Sequence, residues 1–315
     1  MSHRPFRFPR RFVGSAAALA LLAATAQAHA QACCAATGAV TPGRLALHED
    51  ALAGLQGKAS SVLGSFDATG RTLASPPGAS EIDFEEDLFG AVRFLRRGQA
   101  ALLVPLVETH RASQGLSEFG GGIGDVNASV RFDFFLAGAS RVVPGVAILA
   151  GLTFPTGKPP DAAGLGPLAT GATGIGAWQG NVGLAIEQVF GPWLVNASAF
   201  VAQRLARTAG TGPDAVHERL GAQWTMIVAG AYTFPSGIAL ALSASYTLEE
   251  DATIDGHDTP GTAHRLPALS LSGVLPVGDS WRVQAALFDD LPISGLGLNQ
   301  PANAGMLVTV LRSWM

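Results

Sequence analysis

The segment Asp125-Val126-Asn127-Ala128-Ser129-Val130-Arg131-Phe132-Asp133-Phe134-Phe135 alternates without a break. Val126, Ala128, Val130, Phe132 and Phe134 fall on one side, and Asp125, Asn127, Ser129, Arg131 and Asp133 on the other. A β-strand turns successive side chains to opposite faces, so the segment reads as a strand with one greasy and one wet surface. The same period governs Glu81 to Phe94, where Ile82, Phe84, Leu88 and Val92 oppose Glu81, Asp83, Glu85, Asp87 and Arg93. It returns in Ile238 to Glu249, where Ile238, Leu240, Leu242, Tyr246 and Leu248 oppose Ser243, Ser245, Thr247 and Glu249.

Read along the chain, this pattern predicts twelve strands over 51–64, 81–95, 99–110, 123–136, 144–154, 180–190, 193–205, 218–234, 237–249, 265–276, 281–290 and 303–314. Most are about 10–14 residues, long for a soluble sandwich and suited to strands that cross a bilayer at a tilt. The connections alternate. Long ones fall at 65–80, 111–122, 155–179, 206–217, 250–264 and 291–302. Short ones are Arg96-Arg97-Gly98, Gly138-Ala139-Ser140, Gly191-Pro192, Pro235-Ser236 and Val277-Gly278-Asp279-Ser280. Bacterial outer-membrane barrels have short periplasmic turns and longer outer loops, and a soluble sandwich has no reason to keep that rhythm. Phe190, Trp193, Phe234, Trp281 and Trp314 sit at strand ends, where interfacial girdles place aromatics.

Composition agrees. Mean hydropathy is +0.30, and only 14% of residues are charged, against about 25% in a soluble domain. The longest uncharged candidate for a spanning helix, Met226 to Leu248, is broken by Phe234-Pro235-Ser236-Gly237, which is turn chemistry. Arg4, Arg7, Arg10 and Arg11, then an apolar run from Val13 to Thr25 and small residues, form the pattern of a secretory signal peptide over 1–30. Taking those four arginines from 20 cations leaves 16 against 24 acids, a net charge of −8. So acidic a chain is a poor nucleic-acid binder. The division expected is signal peptide 1–30, leader 31–50 and barrel 51–315. Cys33 and Cys34 are adjacent and build no disulfide framework.

Catalytic and cofactor motifs do not materialise. Gly151 to Lys158 has five residues between its glycines where a phosphate loop needs four, and Pro159 stands where a Ser or Thr must hold magnesium. Gly120-Gly121-Gly122-Ile123-Gly124-Asp125 lacks dinucleotide spacing and reads as a loop entering the wall. No G-x-S-x-G elbow and no H-E-x-x-H occur, and His48, His110, His217, His257 and His264 fall mostly in loops or at strand ends. The expectation is therefore no enzyme, no metal and no cofactor. The sharpest polar feature is the row Glu81, Asp83, Glu85 and Asp87, whose i, i+2 spacing puts four acids on one strand face. Such a row repels itself unless it meets water or cations. Facing a wet lumen it either draws cations in or pairs with Arg131 and Arg282 of other strands. Glu81, Asp83, Glu85, Asp87, Arg131, Asp133 and Arg282 are the candidate lumen-lining residues. A solvated wall that selects nothing is the plainer alternative.

Gly124-Asp125 opening a strand, then Gly151-Leu152-Thr153-Phe154-Pro155-Thr156-Gly157-Lys158, then Thr170-Gly171, Thr173-Gly174 and Trp178-Gln179, carry a resemblance. The chain resembles the family of outer-membrane transporters named after the MetA pathway of phenol degradation, over residues 80–310 and most closely over 120–190. The resemblance implies a barrel that passes small, often apolar, compounds, and it supplies no catalytic residues. The resulting expectation is an all-β, closed antiparallel transmembrane barrel of about twelve strands in the bacterial outer membrane. It would pass small organic molecules, with the lipid bilayer, the barrel-assembly machinery and the solute as partners. The rivals are a secreted soluble all-β binding protein and an outer-membrane barrel enzyme. A Ser–His pair on the wall at the lipid boundary would favour the enzyme.

Overall fold

The computed structural model describes residues 44–162, 164–210 and 215–315. The expected signal peptide, Cys33 and Cys34 lie outside the described residues. Twelve long strands form one sheet: β1 (Ala51–Phe66), β2 (Ser80–Phe94), β3 (Gly98–Ser113), β4 (Val126–Phe135), β5 (Gly145–Phe154), β6 (Gln179–Phe190), β7 (Trp193–Arg204), β8 (Gln223–Thr233), β9 (Ala239–Glu249), β10 (His264–Val277), β11 (Trp281–Asp290) and β12 (Pro301–Trp314). Each pairs antiparallel with the next, and β12 returns to β1 in register from Ala51↔Trp314 to Ser65↔Pro301. The sheet is thus a closed twelve-stranded barrel, as the alternation predicts. Closure removes the two edges that an open sheet would expose.

The two faces separate by chemistry. Leu55, Leu88, Val228, Leu242, Leu271 and Met306 are exposed on the outside, midway along their strands. Their neighbours one residue away, such as Gln56, Asp87, Ile227, Ser243 and Leu307, point inward. A water-soluble protein does not surround itself with such a belt, whereas hydrocarbon solvates it at no cost. Aromatics flank the belt. At the end carrying the short turns, Tyr232 packs edge-on against Trp193 at 4.8 Å and Phe234 at 4.9 Å. The Arg312 guanidinium lies 5.8 Å from the Trp281 ring and 5.3 Å from the Trp314 ring. At the opposite end Phe154 meets Trp178 at 5.1 Å.

The turn end is tight because its residues allow it. β6 and β7 are joined by Gly191-Pro192 alone, with Gly191 at φ 59°, a conformation that suits glycine, and Pro192 locked by its ring. The loop end departs from the sequence reading in four places, one of them Thr72–Ala74, a short strand within the expected loop 65–80 that pairs with β1. Residues 111–122, expected as a loop, are mostly strand: β3 runs on to Ser113 and pairs with Leu116–Ile123, so the β3–β4 hairpin projects beyond the wall. The expected strand 218–234 is two elements, Val216–Arg219 and β8. Gly221 lies at the break, where a Cβ would sit 2.1 Å from the Glu250 carbonyl oxygen. The expected loops 206–217 and 250–264 supply a small second sheet of Arg207–Ala209, Val216–Arg219, Ala252–Ile254 and His257–Thr259. Asp161 fastens that sheet to the neighbouring loop. It accepts from the Arg207 guanidinium at 2.5 Å and from Gly210 N–H at 2.7 Å, and the Arg207 contact first, then Gly210, hold its carboxyl below the usual range.

The outer belt makes a direct prediction. Val228, 59% exposed at the middle of β8, should not tolerate charge. Val228→Arg is expected to cost about 2–4 kcal/mol in denaturant titrations of the protein folded in lipid vesicles. Ser245→Arg, on the lumen face of β9, should cost clearly less. Equal costs would show that the belt does not face hydrocarbon.

Candidate functional site

The inside of the barrel is the site, and it changes character along its axis. At the turn end, residues 44–50 enter the mouth and are tied there. Arg44 grips Glu187 of β6 with two parallel bonds, both 2.5 Å. Glu187, only 2% exposed, also meets Arg131 of β4 at 3.2 Å and accepts from Asn196 of β7 at 3.0 Å. Arg131 reaches Asp133 on its own strand at 2.8 Å. Leu45 N–H donates to Gln99 at 3.1 Å. Glu49 pairs with Arg282 of β11 at 2.8 Å, and Arg93 donates to the backbone carbonyls of Glu49 and Ala46. Leu45 packs with Leu52, Phe89, Ala91 and Leu311. Moving an ion out of water costs several kcal/mol unless partners replace the solvent, and here each buried acid has its arginine. Residues 44–50, the described part of the segment expected as leader, are therefore bound to the inner wall at this mouth.

Midway, the lumen holds two cavities. One, of about 320 Å³, is bounded by Arg44, Gln99, Asn127, Arg131, Gln179 and Phe200, among others. The second, of about 590 Å³, is bounded by β1–β3 and β8–β12. The acidic row of β2 lies on the inner face beside it. Its four members, however, meet partners that the sequence did not single out. Glu81 pairs with Arg111 at 2.8 Å, and Asp83 accepts from Thr109 at 2.7 Å. Glu85 pairs with Lys58 at 3.0 Å, and Asp87 accepts from Gln56 at 2.8 Å. Arg131 and Arg282, offered as partners of the row in one of its readings, hold Glu187 and Glu49. The strand register explains this. Lys58 stands directly across from Glu85 on the neighbouring strand, and Arg111 directly across from Glu81.

The loop end is braced by Arg204 and Glu249, 2.7 Å apart, with Arg204 also donating to Gln179 at 2.8 Å. Here the residues of the family-like motifs converge. Asp125 accepts from Gly157 N–H at 2.9 Å and Ile175 N–H at 2.6 Å. Thr156 donates to the Gly124 carbonyl at 2.6 Å, and Thr173 to the Ile123 carbonyl at 2.8 Å. Gly174 must stay small, since a Cβ there would lie 2.4 Å from Asp125 Oδ1. Arg111 joins Glu81 to the Leu168 carbonyl at 2.9 Å, and Glu118 accepts from Leu168 N–H at 2.7 Å. The motif residues thus clasp loop 155–178 onto the β3–β4 hairpin, an architectural use.

The enzyme rival asked for a Ser–His pair on the wall. His110 Nε2 and Ser117 Oγ are 3.0 Å apart on the projecting hairpin, exposed. Among the described residues no carboxylate bonds the other ring nitrogen, so nothing fixes the imidazole as a base. No metal-binding cluster occurs among the described residues.

The chain matches no family model and no curated protein sequence. Among solved structures, an outer membrane channel from Pseudomonas putida F1 superposes with a TM-score of 0.70 at 15% identity, covering 84% of this chain and 96% of that one. The likeness is one of fold, a closed β-barrel of the outer-membrane type. The translocator domain of the autotransporter NalP from Neisseria meningitidis gives 0.48 at 11% identity, over 89% of this chain and 92% of that one. A TodX mutant, a monoaromatic hydrocarbon channel, gives 0.40 at 12% identity, over 89% and 92%. At those two TM-scores nothing about this chain follows.

Breaking the charge network at the mouth should open it. Removing one partner of a buried pair costs about 3–5 kcal/mol, enough to release a seven-residue segment. Arg44→Ala is expected to raise single-channel conductance several-fold over the parent chain in planar bilayers. Unchanged conductance would mean that residues 44–50 do not obstruct the path.

Proposed function

We propose that this chain is a passive outer-membrane channel that admits small organic molecules, and that it falls with the transporter family named after the MetA pathway. The observation that carries the reading is the pairing of two surfaces in one closed sheet. The outside is a hydrocarbon-facing belt, and the inside is a polar wall enclosing cavities of about 320 and 590 Å³. A wall with twelve strands encloses a narrower lumen than a large porin, so side chains set what passes. The lining supports solutes with both polar and apolar surface, because Ser, Thr, Gln and Asn alternate there with Phe89, Phe200, Ile227 and Leu307. The likeness to the Pseudomonas putida channel, which is a likeness of fold, supports the same direction.

In this reading the short turns and both ends of the described chain face the periplasm, and loop 155–178 faces outward. Osmotic swelling of liposomes carrying the protein tests the function. Small polar aromatics should enter well above the rate for protein-free vesicles, whereas disaccharides should not. Swelling no faster than in empty vesicles would overturn it. In intact cells, cysteines introduced at Ala162 and Asp279 report sidedness. An impermeant reagent should label Ala162→Cys only, and the opposite pattern would invert the topology.

The acidic row supports weak cation selectivity. Replacing Glu81, Asp83, Glu85 and Asp87 together with Asn or Gln should reduce the reversal potential at 0.1 M salt, where the Debye length is about 10 Å, more than at 1 M, where it is about 3 Å. No change at either concentration would mean that Lys58, Arg111 and the hydrogen bonds already cancel the row's field.

A further inference from the structure

The smaller lumen cavity, of about 320 Å³, falls within the range of small-molecule sites, about 300–1,000 Å³. Two glycines make part of its wall flat. Gly183 of β6 stands directly across from Phe200 of β7, and a Cβ on Gly183 would lie 2.4 Å from Phe200 Cδ1. The Phe200 ring therefore lies down over Gly183, and it lines the cavity. Gly151 of β5 stands across from Asn181 of β6, and a Cβ on Gly151 would lie 2.7 Å from Asn181 Nδ2. The Asn181 amide thus lies down over Gly151 in the same sense. A glycine inside a strand marks a place where another group comes close to the backbone, and here that group is a planar side chain.

Asn181 pairs across the sheet with Ala202 of β7, and Ala202 with Gln223 of β8. Neighbouring strands lie about 4.8 Å apart, so the two amides stand on backbones roughly 10 Å apart with only a methyl group between them. Other amides of the lining are committed. Gln99 accepts from Leu45 N–H, Gln179 accepts from Arg204, and Asn127 donates to Thr153. The side chains of Asn181 and Gln223 have no hydrogen-bond partner among the described residues, and both are partly exposed to the lumen. Arg44 and Arg131 are the charged residues of the lining. They face Glu187 and Asp133, two cations against two acids, so this end of the cavity is electrically balanced.

We infer that this cavity is a binding site for a flat, uncharged ring that carries a hydrogen-bond donor and an acceptor at its edge, such as an aromatic carboxamide or a lactam. The ring lies against Phe200, and its polar edge meets Asn181 and Gln223. The inference deepens the channel reading and rests on it for its biological sense. A planar ring stacks on an aromatic face better than a puckered one of the same size. Each side-chain amide offers both a donor and an acceptor, so the ligand that satisfies them carries both as well. A charged solute would lose its hydration where Glu187 and Asp133 are already answered by arginines, and that loss is not repaid.

The test uses benzamide, benzoate, benzylammonium and methyl benzoate, the last being flat and uncharged with an acceptor but no donor. Calorimetric titration of the full chain folded in detergent should show benzamide binding about tenfold more tightly than each of the other three. Replacing both free amides, Asn181→Leu with Gln223→Leu, should bring benzamide and methyl benzoate to within about a factor of two of each other. That ratio is read within one protein, so it does not depend on how much of the variant folds. Gly183→Ala should push the Phe200 ring off the wall and weaken benzamide about fivefold, with folding checked by the heat-modifiable gel band. Benzoate or benzylammonium bound as tightly as benzamide would overturn the inference. So would a preference for benzamide over methyl benzoate that survives the double replacement. Selective binding by a protein that passes no solute into liposomes would support the site and remove the channel reading instead.

Discussion

Every other feature of this molecule depends on the seam between its first and last strands. Inside a bilayer no water is present to satisfy backbone N–H and C=O groups, and each orphan costs several kcal/mol. Twelve strands laid side by side would still leave two rows of such groups, one on β1 and one on β12. Pairing Ala51 through Ser65 with Trp314 through Pro301 removes both rows at once. Once the seam is closed, the period-2 alternation has a fixed meaning: one set of side chains must meet lipid and the other must meet the lumen. The belt of leucines and valines, the inward acids and the cavities all follow from that single closure.

Closure then creates a second problem, which the lumen solves locally. A narrow interior lined by ionisable groups has too little water to solvate each of them. At the turn end the answer is dense pairing. Glu187 takes Arg44, Arg131 and Asn196, and Glu49 takes Arg282. Midway, the pairs are looser and water-sized space remains between them. The interior thus runs from a packed mouth to a middle that holds open cavities. The loops at the far end are organised by the same economy, since Asp125 supplies both carboxylate oxygens to backbone N–H groups of loop 155–178.

The sequence showed the barrel far more clearly than the interior. Period-2 alternation sustained over ten or more residues is a local signal, so strand number and the phase of segments such as Asp125 to Phe135 could be read directly. The placing of Glu85 and Asp87 on one face, beside the larger cavity, follows from the same period. Their partners were not readable, because partnership depends on register between strands. Lys58 meets Glu85 only because β1 and β2 pair as they do, and Arg282 meets Glu49 across 233 residues. Gly120-Gly121-Gly122 concealed a strand, since glycine has low strand propensity and the pairing there is imposed by β3. The role of residues 44–50 was hidden for another reason. A short segment with no period looks like a leader whether or not it folds back into a mouth.

Amide hydrogen exchange across the seam tests the central claim most directly, with the protein folded in lipid. The account predicts that the backbone amides of β1 and β12 midway along the barrel are protected to the same degree as those of β8 and β9, a pair within the sheet. Seam amides that exchange orders of magnitude faster than the β8–β9 amides would show an open sheet, and the assignment of an inside and an outside would fail with it.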